Sequence, residues 1–151
     1  MKIWLRYVGF FGLGFFLFVS LISMSRSPEM VIEGEWKELA WEYEKVNKND
    51  TVKSDYNKVS SYVKDVAGLD LIIHKAEKWK FCPDGRLILQ GKNYTKEINW
   101  VIKGRGNMLE LKYGNNIERY SLTELSDNTL ILNFDSNAST RGIARLTFEK
   151  I

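Results

Sequence analysis

Cysteine is almost missing from this chain: Cys82 stands alone among 151 residues, so no intrachain disulfide can form in any compartment. Histidine is as scarce, with His74 the single example. One imidazole and one thiol fall short of the three or four ligands a zinc site takes, so no metal is expected. No cofactor is expected either. A Ser-His-Asp system could be drawn only by joining His74 to Ser60 or Ser121 and Asp70, and no Gly-x-Ser-x-Gly elbow holds either serine. The chain reads as a non-enzyme.

A surplus of one charge sign is also lacking where it would count. Lys2, Arg6 and Arg26 precede residue 27 without a single acid, which leaves nineteen Lys plus Arg against nineteen Asp plus Glu in residues 27–151. A neutral domain has no net field to attract a phosphate backbone, so nucleic acid is not an expected partner. The basic stretch "HKAEKWK" fits a strand with Lys78 and Lys80 facing solvent and Trp79 and Phe81 facing inward. "GRGN" at residues 104–107 lacks the third glycine and the following helix of a phosphate loop, so it is a turn. Glu42 and Glu44, two apart, are spaced as the solvated face of a strand is, and a carboxylate pair for glycoside chemistry is the lesser reading.

What the chain does have begins at its N-terminus. Two cations precede an apolar run from Val8 to Ile22 broken only by Ser20, and Arg26 follows. Extended from Trp4 to Met24, a helix would be about 31 Å long, enough to cross a hydrocarbon core. Trp4 and Tyr7 sit where interfacial aromatics anchor a retained helix, and Lys2 and Arg6 favour a cytoplasmic N-terminus. Residues 1–26 therefore read as a single-pass anchor in the cytoplasmic membrane, with residues 27–151 on the periplasmic side. A cleaved secretory signal ending near Ser23-Met24-Ser25 stays open as the alternative.

Beyond residue 68 short apolar alternations are broken by turn residues every 8 to 12 positions, the pattern of a barrel or sandwich. "KWKFCPDGRLIL" reads as a hairpin about Asp84-Gly85. Strands in "EINWVIKG", "NMLELKYG", "ERYSLTEL", "NTLILNF" and "RGIARLTFEKI" bring the count to seven from Leu71 onward. "SDYNKVSSYVKDVAG" instead places Tyr56, Val59, Tyr62, Val63 and Val66 at helical spacing, with Ser54 or Asp55 as N-cap and Gly68 as stop, and predicts a short helix.

"VIEGEWKELAWEYEKVN" at residues 31–47 carries two patterns at once. Trp36, Leu39, Ala40 and Tyr43 fall at helical spacing, whereas Leu39, Trp41 and Tyr43 alternate with Ala40, Glu42 and Glu44 as in a strand. Seven antiparallel strands leave edges that an eighth would close, so the strand is expected. It requires a bulge between Trp36 and Trp41, because the two are out of phase.

The order Gly34-x-Trp36, then an insertion, then Trp79-x-Phe81 leading to Gly85, then Trp100 leading to "GRGN", then a final Arg-bearing strand, resembles the lipocalin-like domains of the calycin group. The likeness is closest to the small bacterial envelope type and covers residues 31–151. It implies a mainly β, up-and-down barrel of about eight strands, with Trp36 at the closed base beside Arg145 or Arg141. It also implies an interior able to take a small apolar ligand or lipid moiety. Trp79, Phe81, Trp100, Tyr113, Tyr120, Phe134 and Phe148 are the candidate lining, though small barrels usually fill their interiors with such side chains. An accessory subunit of an envelope assembly, meeting a protein partner through the barrel surface, is the alternative function.

Overall fold

The two patterns in residues 31–47 resolve as a strand. In a computed structural model, whose described residues are 26–45, 57–58, 64, 70–73, 76–136 and 142–151, β1 (Gly34–Lys45) is the longest strand. A register shift between Glu38 and Ala40 makes Leu39 the extra residue of a bulge. The bulge rotates the strand by one position, so Trp36 and Trp41 both point inward and are buried while Leu39 is 54% exposed. This corrects the expected face: Leu39 does not share the side of Trp41, and Glu38 takes the inward position instead.

The remaining strands follow in chain order: β2 (Asn57–Lys58), β3 (Lys78–Phe81), β4 (Arg86–Gln90), β5 (Thr95–Lys103), β6 (Met108–Tyr113), β7 (Asn116–Leu125), β8 (Thr129–Ser136) and β9 (Gly142–Lys150). From β3 to β9 each strand pairs antiparallel with the next. β1 pairs with β3 on one side and with β9 on the other, which closes an eight-stranded barrel. The seven strands expected after Leu71 are all present. Since β1 runs along β9 from Trp36 to Lys45, it supplies the seam that leaves no long edge open.

β3 is only four residues long and covers β1 from Gly34 to Lys37. Further along the same edge, Asn57 and Lys58 pair with Tyr43 and Glu42 as β2. The helix expected over residues 54–68 is thereby corrected at those two positions, where pairing an uncovered strand edge outweighs helical spacing. Lys64 is helical; the other residues of that stretch lie outside the described residues. So does the segment before Arg26, and among the described residues no helix is long and apolar enough to cross a membrane.

A helix not expected from the sequence, α1 (Pro28–Ile32), precedes β1. Its start has a local cause: the Ser27 side chain caps Met30 N–H, and Pro28 occupies the first turn, where its missing N–H costs nothing. α1 packs against β5 and β7 and buries Ile32 in the core. The core itself is the set of inward rows, with Trp36, Trp79, Phe81, Leu87, Leu89, Leu109, Leu111, Tyr120, Leu130, Leu132, Leu146 and Phe148 at 0–1% exposure. Full burial of one such side chain contributes about 1.5–3 kcal/mol.

Candidate functional site

The two ends of the barrel differ in chemistry. At one end, which we call the base, Trp36 Nε1 donates to the Ile32 carbonyl at 2.7 Å. Lys150, the register partner of Trp36 on β9, reaches over the indole with Nζ 5.1 Å from the ring centroid and donates to the Val31 carbonyl at 2.9 Å. Two of the last carbonyls of α1 are thus satisfied by side chains of β1 and β9. Gly34 makes this possible. Its φ is +117°, and a Cβ there would stand 2.8 Å from Lys150 Cε. The Gly-x-Trp pattern therefore has a physical reason: the glycine leaves room for the lysine stem that crosses to the tryptophan.

The cation at the base is therefore Lys150 and not Arg145. Arg145 lies between inward-facing Ala144 and Leu146, so its side chain leaves on the outer face, in register with Glu42 on β1 and Asn133 on β8. Arg141 lies outside the described residues.

The opposite end, the mouth, is polar inside. Lys96 occupies the same row of β5 as buried Ile98, Trp100 and Ile102, and Glu118 the same row of β7 as buried Tyr120. Residues 70–73 lie across these two side chains. Ile72 N–H donates to Glu118 Oε1 at 2.6 Å, and Lys96 Nζ donates to the Ile72 carbonyl at 3.3 Å. Lys96 Nζ also sits 4.1 Å from the centroid of the Tyr113 ring, a cation over an aromatic face. The Tyr120 hydroxyl donates to Glu118 Oε2 at 2.6 Å.

These contacts set the ionisation of the cluster. Burial raises the Glu118 carboxyl above its ordinary range, against the opposing pull of the Tyr120 hydroxyl and Ile72 N–H. Burial, and then the neighbouring Glu118, hold the Tyr120 phenol protonated far above its usual range. Across the mouth, inward-facing Glu38 pairs with Lys64 and accepts from Trp41 Nε1 at 3.0 Å. Burial followed by Glu38 and Glu77 pushes the Tyr94 phenol up. The arrangement places oriented donors and acceptors beside an apolar wall.

Of the seven candidate lining residues, Trp79, Phe81, Trp100, Tyr120 and Phe148 are buried. Trp79 meets Phe148 at 4.7 Å and Phe81 at 6.2 Å between ring centroids, and Phe81 meets Trp100 edge-on at 5.3 Å. These four pack the lower barrel. Phe134 joins Trp41 and Tyr120 near the mouth, at 5.8 and 5.4 Å, and Tyr113 is 48% exposed at the rim. Lys78 and Lys80 face solvent while Trp79 and Phe81 face in, as the strand reading expects.

Sequence reasoning overlooked Lys96, Glu118, Glu38 and Lys150. For the first two a signal existed, since each is in phase with an apolar row in "TKEINWVIK" and "NIERYSLTEL". His74 and Ser60 lie outside the described residues. Among the described residues, no three His, Cys, Asp or Glu side chains come together to hold a metal ion.

A buried charge lies on the outer wall. The Glu110 side chain is 1% exposed beneath Lys103, Lys112 and Arg119. With Lys103 the largest influence, these cations hold its carboxyl at about 2 against an ordinary 4.5. Both its oxygens are engaged, at 2.8 Å by Lys103 and 3.0 Å by Arg119, so this cluster fastens β5, β6 and β7 together.

No protein-family model matches the chain, and a search of curated proteins finds no match.

Proposed function

We propose that residues 27–151 are a lipocalin-like, non-enzymatic binding barrel of the bacterial cell envelope, tethered to the outer face of the cytoplasmic membrane through residues 4–24. The ligand is a small, mainly apolar molecule taken in at the mouth. The observation that carries this reading is the placement of Lys96 and Glu118 in inward rows that are otherwise apolar. Even half-burying a charge is costly unless it is paired or hydrogen-bonded, and leucines at both positions would have closed the core. Trp41, Tyr113, Tyr120 and Phe134 form the aromatic wall beside them. Deeper in, the Trp79 indole N–H is buried with no acceptor among the described residues, a donor that a ligand's polar atom could meet.

Arg26 follows the apolar segment directly and pairs with Asp127 at 3.1 Å, in the turn between β7 and β8 beside α1. With residues 4–24 in a bilayer, a trans chain of at most about 3.6 Å per residue would keep Arg26, and with it the base, close to the membrane. The partner-binding alternative has less behind it. Among the described residues the exposed large apolar side chains are Met30 on α1, Leu39 on β1, Val101 on β5, Tyr113 on β6, Ile117 on β7 and Ile151 after β9, one to an element.

The test is direct. The full chain, reconstituted in lipid nanodiscs, is titrated with N-phenyl-1-naphthylamine against empty nanodiscs, and co-purified molecules are sought by native mass spectrometry. Saturable binding of one molecule per chain, weakened by Tyr113→Ala and Phe134→Ala, is expected. Absence of both saturable binding and any co-purified molecule would refute the reading.

A further inference from the structure

Residues 70–73 belong to no ladder of the barrel; the eight strands close without them. Two of them are nevertheless buried at the mouth, Ile72 at 4% and Ile73 at 2% exposure, while Asp70 is exposed and Leu71 half-buried. Among the described residues, their turn bond from Ala76 N–H to the Ile73 carbonyl, at 3.0 Å, is local. Among the described residues, two polar contacts join them to the barrel wall, and both go to the same residue: Glu118 accepts the N–H of Ile72 and Lys96 donates to its carbonyl. The two inward charges therefore read the main chain on both sides of one α-carbon that bears a branched apolar side chain.

We infer that residues 70–73 are an intramolecular occupant of the binding mouth, and that the ligand displacing them is a small N-acyl derivative of a branched apolar amino acid. This rests on the binding-barrel reading above and names its ligand class. Such a molecule presents an amide N–H to Glu118, a carbonyl to Lys96 and an apolar side chain to the place Ile72 fills. Its acyl chain runs along Trp41, Tyr120 and Phe134, the last of which meets each of the other two edge-on. An unmodified hydrocarbon is a poorer fit, because displacing Ile72 would take from the half-buried Glu118 carboxylate the N–H it accepts at 2.6 Å and give nothing in return. Competition from the occupant lowers apparent affinity by the fraction of time the mouth is free, so weakening the occupant tightens ligand binding.

The experiment uses the full chain in nanodiscs and two matched probes: N-octanoyl-isoleucine N-methylamide, and its ester analogue in which oxygen replaces the N–H that Glu118 would accept. Calorimetry is expected to show the amide binding about tenfold more tightly than the ester, the usual worth of a hydrogen bond to a charged group. Glu118→Gln is expected to narrow that ratio. The double substitution Ile72→Ala with Ile73→Ala is expected to tighten both probes severalfold. In the unaltered chain, hydrogen exchange across residues 70–73 is expected to speed up when the amide binds, which needs no variant to fold. Equal affinity for amide and ester, or unchanged exchange at residues 70–73 with probe bound, overturns the inference and leaves the binding barrel standing. Binding of neither probe, to the native chain or to the double variant, overturns both.

Discussion

Replacing Trp36 by Phe isolates the latch at the base. The benzene ring fills most of the indole's place among the core residues but cannot donate to the Ile32 carbonyl, which Trp36 Nε1 meets at 2.7 Å in a buried setting. An acceptor left buried and unsatisfied costs about 1–3 kcal/mol. The unfilled space where the five-membered ring stood adds about 1 kcal/mol at the usual cost of cavity volume. The sum, roughly 2–4 kcal/mol, is a large share of the about 5–15 kcal/mol that holds a domain folded. Trp79→Phe is the matched control. It removes the same atoms from the same core, but the Trp79 N–H has no acceptor among the described residues, so the change strands no carbonyl and the cavity term of about 1 kcal/mol stands alone. Urea unfolding followed by far-ultraviolet circular dichroism measures both, with the slope checked to be constant so that midpoints report stability. Equal destabilisation by the two substitutions would show that the Trp36–Ile32 bond contributes nothing, and the account of the base would be wrong.

Gly34→Ala is expected to destabilise by about 1–3 kcal/mol, from backbone strain at a positive φ together with displacement of the Lys150 stem, read as a lower unfolding midpoint. Lys150→Met keeps that stem and loses the charge; in a double-mutant cycle with Trp36→Phe it should show a coupling of about 0.5–1 kcal/mol, because the indole is buried but phenylalanine keeps part of the attraction of an aromatic face for the cation. Because the Glu110 carboxyl is held at about 2 in the folded chain against an ordinary 4.5, its contribution is full above pH 4.5 and disappears as pH falls through 2. Glu110→Gln should therefore lower stability at neutral pH and approach the native chain near the acid limit, as melting at a series of pH values would show. Leu39→Lys, at the exposed residue of the bulge, should change stability by less than about 0.5 kcal/mol, whereas a large loss in thermal melting would place Leu39 in the core and contradict the register of β1.

The seven strands after Leu71 were legible because each alternates apolar and polar residues and ends in turn chemistry such as Asp84-Gly85 or Ser126 to Thr129, where Ser126 Oγ accepts from Thr129 N–H. The need for a bulge in β1 was legible from the phase conflict between Trp36 and Trp41. Its position at Leu39 was not, because shifting the extra residue by one moves every later side chain to the other face without changing composition. The partner of Trp36 escaped for a related reason. Which cation of β9 meets it depends on register across the seam, and two residues far apart in the chain carry no mutual local signal.

Alternation and turn spacing by themselves determined that this chain folds as a meander of antiparallel strands, since both act between near neighbours. Tertiary structure alone decided what the interior charges do. Lys96 and Glu118 look like surface residues one at a time, and only closure of the barrel turns them toward each other and toward Ile72. Local pattern reports which face a residue takes within its own strand; what waits on that face is set by the strands that come round to meet it.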